Sequence, residues 1–155
     1  MPQSEKASVP ATAKNTIEAW EALFRAQVSV MRHLTAMPEF KRLSLREYDV
    51  LFNLRNCPGG KSRLVDLNKH LLISQPSLSR MVTRLEERGL IFRITDPADQ
   101  RAMILSLTDK GLEVQRDIGR EHVRHLHDLL GAALSEEEFD QLQHLCSKLR
   151  AAVEA

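Results

Sequence analysis

Between Gly89 and Leu107 the spacing of apolar residues changes from a repeat near 3.6 to a repeat of 2. Phe92 and Ile94 alternate with Arg93 and Thr95, and Met103, Leu105 and Leu107 alternate with Ala102, Ile104 and Ser106. Alternation of this kind marks two strands that each bury one face. The residues between them, Asp96-Pro97-Ala98-Asp99-Gln100-Arg101, are polar and turn-forming, which predicts a hairpin with a projecting tip. Helical periodicity on both sides then restricts the chain to a mainly α fold with one small β-hairpin.

Upstream of the hairpin, Ile17, Trp20, Phe24, Met31 and Leu34 form the stripe of a long amphipathic helix that begins near Thr12 and stops before Pro38. The polar residues before it, 1–11, carry Pro2 and Pro10 and read as a loose arm. Ser44-Leu45-Arg46-Glu47 has the form of a capping box, so a second helix starts there, presents Leu45, Tyr48, Leu51 and Phe52, and ends before Pro58-Gly59-Gly60. Ser62 to Leu72 reads as a short helix with Leu64, Leu67 and Leu71 on one side. After a tight turn, Ser74 caps a further helix, with Pro76 tolerated in its first turn and Leu78, Val82 and Leu85 as its buried stripe. The opposite face carries Gln75, Ser77, Ser79, Arg80, Thr83 and Arg84, and Gly89 closes the helix.

Downstream, Thr108 caps a long helix carrying Leu112, Ile118, Leu126 and Leu129, and a second capping box, Ser135 to Glu138, opens a terminal helix. That helix presents Phe139, Leu142, Leu145, Leu149 and Val153. A chain of 155 residues buries one moderate core, and the long helices at its two ends need more cover than that core provides. No apolar run reaches the length of a membrane span, and the first residues lack the apolar stretch of a signal peptide, so a cytoplasmic protein without membrane contact is expected. Cys57 and Cys146 lie far apart and suggest neither a disulfide framework nor a cysteine metal site.

Helix, short helix, turn, helix and two-stranded hairpin is the order of a winged helix-turn-helix, whose second helix enters the DNA major groove. The net formal charge of the chain is only +1, so the distribution of charge decides. From Lys61 to Arg101 there are eight basic residues against five acidic ones, an excess of three in a chain that is acidic elsewhere. Arg80 and Arg84 stand one turn apart among small hydroxyl and amide side chains, which lets the backbone approach a duplex while arginine reaches guanine or phosphate. Asp99-Gln100-Arg101 places a carboxylate where it can hold a guanidinium for entry into a narrow minor groove.

Taken together, Leu64-Val65-Asp66-Leu67, Ile73 to Arg80, Leu85 to Ile91 and Asp96 to Arg101 followed by Leu105 to Gly111 resemble the multiple-antibiotic-resistance regulator (MarR) family. The resemblance spans nearly the whole chain from the first long helix. It implies a homodimeric repressor of a pseudo-palindromic duplex operator, with residues 44–108 as the winged DNA-binding domain and 12–43 with 109–155 as a helical dimerisation region. Ser74, Gln75, Pro76, Ser77, Ser79, Arg80 and Arg84 match its recognition-helix positions, and Asp99 and Arg101 its wing motif. Many members carry arginine where this chain has Gln100. The resemblance also implies a small aromatic effector bound where the dimerisation helices meet the winged domain, and Trp20, Phe24, Tyr48 and Phe52 lie near that region, although core packing is the role expected of each.

Other chemistries find less support. Gly60-Lys61-Ser62 ends like a phosphate-binding loop, but Arg55 stands where glycine is required, and a helix rather than a strand precedes it. His122 and His125 share a helical face and raise a zinc-responsive regulator of the same fold as an alternative, with no further ligand evident in the sequence. Cys146 reads as a small buried hydrophobe, and nothing beside Cys57 marks a sensor thiol. A helical module that docks protein instead of DNA is the alternative from another class. Neither catalysis nor a cofactor is expected.

Overall fold

A computed structural model describes residues 9–155; the first eight residues of the expected arm lie outside it, and Val9 to Thr12 are exposed and belong to neither helix nor strand. By internal contacts the chain divides into two units, residues 1–36 and 37–155. The first holds α1 (Ala13–Thr35), which starts at Thr12 through a reciprocal cap: the Asn15 N–H donates to Thr12 Oγ1 at 3.2 Å and the Asn15 side chain accepts the Thr12 N–H at 3.4 Å. Ile17, Trp20 and Phe24 are all more than half exposed along its apolar stripe.

The second unit begins with a 3-10 turn (Pro38–Lys41) and α2 (Leu45–Asn56), opened by the Ser44–Glu47 capping box as expected. There follow β1 (Lys61–Arg63), α3 (Leu64–Asn68), α4 (Gln75–Glu87), β2 (Ile91–Asp96), β3 (Asp99–Leu107), α5 (Asp109–Leu130) and α6 (Glu136–Glu154). The sheet is antiparallel in the order β1-β3-β2. The core of this unit includes Leu43, Val50, Leu51, Leu54, Leu67, Leu78, Val82, Leu85, Leu90, Ile91, Leu105 and Ile118, each at most 2% exposed. The stripe expected of α4 is therefore the buried one.

The structure corrects the sequence reading at four places. The short helix expected over Ser62 to Leu72 is only Leu64–Asn68, because Lys61–Arg63 pairs with Arg63 opposite Ile104 and Lys61 opposite Ser106. The wing thus has three strands at its root. Its tip is shorter than expected, since Asp96 pairs with Asp99 around Pro97 and Ala98, and Asp99 to Arg101 lie on β3. The buried face of the sheet carries Ile91 and Leu105, so Phe92 and Ile94, on the other face, remain 40% and 38% exposed. Finally, no residue of α6 is buried; Cys146 is partly exposed, and Phe52 on α2 is 44% exposed.

The root of the wing closes against the start of α5. Gly89 adopts φ +73°, which ends the α4 segment in a left-handed turn. Thr108 Oγ1 donates to the Gly89 carbonyl at 2.6 Å and accepts the Gly111 N–H at 3.0 Å, while the Thr108 N–H donates to the Leu90 carbonyl. This draws α5 so near that a Cβ on Gly111 would stand 2.0 Å from the Leu90 carbonyl oxygen.

A polar cluster lies where the 3-10 turn meets α2 and α5. His122 packs edge-on to Phe40 and Tyr48 at centroid distances of 5.2 and 5.6 Å. Glu39, 2% exposed, meets His125 Nδ1 at 2.8 Å. Burial holds the His122 imidazole below its usual 6.5, partly offset by the Glu39 carboxylate and reinforced by His125. A base whose folded-state pKa is depressed contributes stability above its unfolded value and loses it as pH falls through the folded one.

Two predictions follow from these contacts. Gly111→Ala gains about 1 kcal/mol of helix propensity but forces backbone against backbone, at a cost of about 1–3 kcal/mol or more. The collision dominates, and the variant should melt several degrees lower by circular dichroism; a higher melting temperature would show that α5 does not approach Leu90 this closely. The native chain should also lose thermal stability as pH falls below about 6.5, and His122→Phe, which keeps the aromatic packing, should lose less. Equal pH dependence of the two would contradict the assignment to His122.

Candidate nucleic-acid interface

The surface of α4 is organised from its N-terminus. Ser74 Oγ accepts the Ser77 N–H at 3.3 Å and lies 2.8 Å from Ser77 Oγ, which accepts from Arg80 Nη2 at 3.2 Å. Ser74, Gln75, Pro76, Arg80, Thr83 and Arg84 are exposed, and Ser77 and Ser79 are half-buried. The structure thus collects the expected recognition-helix residues on the side of α4 opposite Leu78, Val82 and Leu85. Arg84 differs from Arg80 in its partner: its Nε stands 4.0 Å from Glu47 Oε1, and Arg88 Nη1 stands 3.7 Å from the other oxygen of the same carboxylate. Glu47 also accepts the Ser44 N–H, so one α2 carboxylate both caps its own helix and faces two arginines at the α4 C-terminal end.

The wing adjoins this face. Gln75 from α4, Arg63 and Asp66 from the β1–α3 segment, and Arg93, Asp99 and Arg101 from β2 and β3 line one cleft of about 470 Å³. Arg93 Nη2 donates to Thr83 Oγ1 at 2.8 Å, and its Nε stands 3.4 Å from Glu86 Oε2, which ties β2 to α4. Asp99 takes a different partner from the one expected. Its Oδ1 accepts the Arg101 backbone N–H at 3.0 Å, and among the described residues the Arg101 guanidinium has no ion-pair partner.

Sequence reasoning missed the ion pair between Arg63 and Asp96. Both Nε, at 2.7 Å, and Nη2 of Arg63 donate to Asp96 Oδ2, while Asp96 Oδ1 accepts the Ala98 N–H at 2.9 Å. The Ala98 N–H and the guanidinium hold the Asp96 carboxyl below the usual carboxylate range. Of this arrangement only the Asp-Pro turn had a sequence signal, because thirty-three residues separate the partners.

Of the aromatic candidates, Trp20 and Phe24 are exposed on α1, with ring centroids 6.3 Å apart. Tyr48 is buried and stacks on Phe52, and the two line a pocket of about 460 Å³ with Arg55, Gln115 and Arg120. Arg55 Nη1 donates to Gln115 Oε1 at 2.6 Å; burial pushes the Tyr48 hydroxyl up, against the hydrogen bond from Gln115. Among the described residues no group of three His, Cys, Asp or Glu side chains is placed to hold a metal ion, and His122 and His125 lie among Glu39, Phe40 and Tyr48 instead. No helix among the described residues is long and apolar enough to cross a membrane.

Comparison with known proteins agrees with this geometry. Residues 43–103 match the MarR family. The chain is 31% identical over 129 residues to the HTH-type transcriptional regulator PecS of Dickeya dadantii, covering 82% of this chain and 76% of that protein. Sco3205, a MarR family transcriptional regulator from Streptomyces coelicolor solved in complex with DNA, superposes with a TM-score of 0.78 at 25% identity, over 97% of this chain and 94% of that one. AbsC from the same organism shares the fold, with a TM-score of 0.73 at 24% identity over 95% and 99% of the two chains. From the wing, the capped α4 and these relationships, the chain belongs to the MarR family of transcriptional regulators.

Proposed function

We propose that the chain is a cytoplasmic, ligand-responsive repressor that binds a pseudo-palindromic duplex operator as a homodimer. The observation that carries this reading is the shared cleft: the N-terminal end of α4 and the Arg101 strand of the wing face the same space from two sides. With α4 in the major groove, Gln75, Ser77, Ser79 and Arg80 approach base edges, and Arg80 has the reach to engage guanine O6 and N7. Ser74 and Pro76 bring the helix N-terminus toward a phosphate, where its unpaired N–H groups favour an anion. Arg84 exchanges part of its Glu47 contact for phosphate. Arg101, whose backbone N–H donates to the Asp99 carboxylate, enters the adjoining minor groove. That Sco3205, a regulator of the same fold, was solved in complex with DNA supports DNA as the partner.

The dimer follows from unspent apolar surface. Leu142, Leu145, Leu149 and Val153 are 43–83% exposed on α6, and Ile17, Trp20 and Phe24 are exposed on α1. In this reading residues 12–43 and 109–155 build the dimer, and 44–108 form the winged domain. A small aromatic effector suits the Tyr48–Phe52 pocket, and its binding shifts the dimer toward a form whose recognition helices no longer match the half-site spacing. No enzymatic step is part of this function.

Two measurements test it. Against a duplex that the unsubstituted chain binds tightly, Arg80→Ala should lose about 1–3 kcal/mol of base discrimination, and Arg101→Ala should weaken binding and lower the salt slope by about one or less. Full affinity and full preference in both variants would remove the DNA surface from this face. Leu145→Glu should keep the helical circular-dichroism signal of the native chain and sediment as a monomer at micromolar concentration; a stable dimer would place the interface elsewhere.

A further inference from the structure

We propose that Arg63 is the positioning residue of the wing, a third-strand tie that holds the distal ribbon where Arg101 can reach the duplex. The inference rests on the DNA-binding reading above. β1 is short: its three residues pair only with Ile104, Leu105 and Ser106 of β3. Beyond Ile104 the wing is a two-stranded ribbon, with Thr95 opposite Met103 and an irregular register before Asp96 meets Asp99. A two-stranded ribbon in water is marginally stable without further packing. Asp99 and Arg101 both sit on this unsupported stretch.

Arg63 is the last residue of β1, and its side chain reaches past the end of the three-stranded region to Asp96. There two guanidinium nitrogens meet one carboxylate oxygen, and the other oxygen closes the Pro97–Ala98 turn through the Ala98 N–H. The Asp96 side chain is only 8% exposed, so both of its oxygens are committed to the turn and the tie. Arg63 is also the residue from which α3 starts, the first helix of the helix-turn-helix. One side chain therefore registers the wing tip against the helix pair that carries α4. A fork of two N–H donors is what fixes direction as well as distance, and lysine, a single point charge, does not reproduce it.

A rival role is direct contact, since the Arg63 side chain is 41% exposed and lines the same cleft as Arg101. Charge separates the two. Asp96→Asn removes a negative charge beside the duplex and releases Arg63: a directly contacting Arg63 then binds more tightly, whereas loss of the tie binds more weakly. The experiment is a salt titration of the full-length chain against one tightly bound duplex, with Arg63→Lys and Asp96→Asn each made in the native and Arg101→Ala backgrounds.

Each single variant should weaken binding about five- to tenfold, the scale of one lost backbone or groove contact, and lower the salt slope as Arg101→Ala does. Neither should weaken binding further once Arg101 is absent. Native or tighter binding by Asp96→Asn, or effects that multiply with that of Arg101→Ala, overturns the proposal. Amide exchange at Ala98, Asp99 and Arg101 supplies a reading free of DNA: it should quicken in both variants while the α4 amides stay protected, and unchanged exchange overturns the tie directly. Should the unsubstituted chain bind no duplex while exchange quickens in the variants, the DNA-binding reading fails and the tie survives as a structural one without the positioning role.

Discussion

The burial of one stripe of α4 sets the orientation on which everything else depends. Leu78, Val82 and Leu85 have no exposed surface, and they pack within a core that includes Leu51 and Leu54 of α2 and Leu67 of α3. Burying a side chain of this kind contributes about 1.5–3 kcal/mol, so these three supply an amount comparable with the whole stability of a small domain, about 5–15 kcal/mol. Rolling α4 by a quarter turn would forfeit most of it. Gln75, Arg80 and their neighbours face outward because the leucines cannot.

Around that fixed helix, polar contacts set the finer geometry. Arg93 ties β2 to Thr83, Thr108 binds the Gly89 carbonyl at the wing root, and Arg63 binds Asp96 at its far end. Glu47 faces Arg84 and Arg88 from α2. Partly exposed ion pairs and single hydrogen bonds each contribute about 0–1.5 kcal/mol, and the value of these contacts lies in direction rather than in energy. They hold α4 and the wing, the two elements proposed to face DNA, at a set distance, which hydrophobic burial alone does not specify.

Most of the fold was legible in the sequence because its signals are local. Capping residues lie three positions from their partners, as in Ser44–Glu47 and Ser135–Glu138, and the α4 stripe repeats within thirteen residues. Three failures share the opposite cause. β1 is three residues long and has no alternation to detect, so the leucines of α3 absorbed it into a helix. The Arg63–Asp96 pair joins residues far apart in the chain. Phe92 and Ile94 look like the buried side of a strand, yet Ile91 and Leu105 take that side once β3 is paired in register. For the candidate interface, the composition of the face was readable, whereas the division of its arginines between Ser77, Glu47 and Asp96 was a matter of packing. The apolar stripes of α1 and α6 were readable as stripes, and the exposure of the α6 stripe is what supports the proposed homodimer.

In the proposed function the outward face of α4 reads sequence in a duplex bound by two chains at once. Selection of tight binders from a pool of random duplex DNA by the purified full-length protein tests this most directly. The expected product is an inverted repeat with half-site centres about 10 bp apart, bound markedly less well as salt rises. A pool that returns no repeat, or binding indifferent to salt, would contradict it.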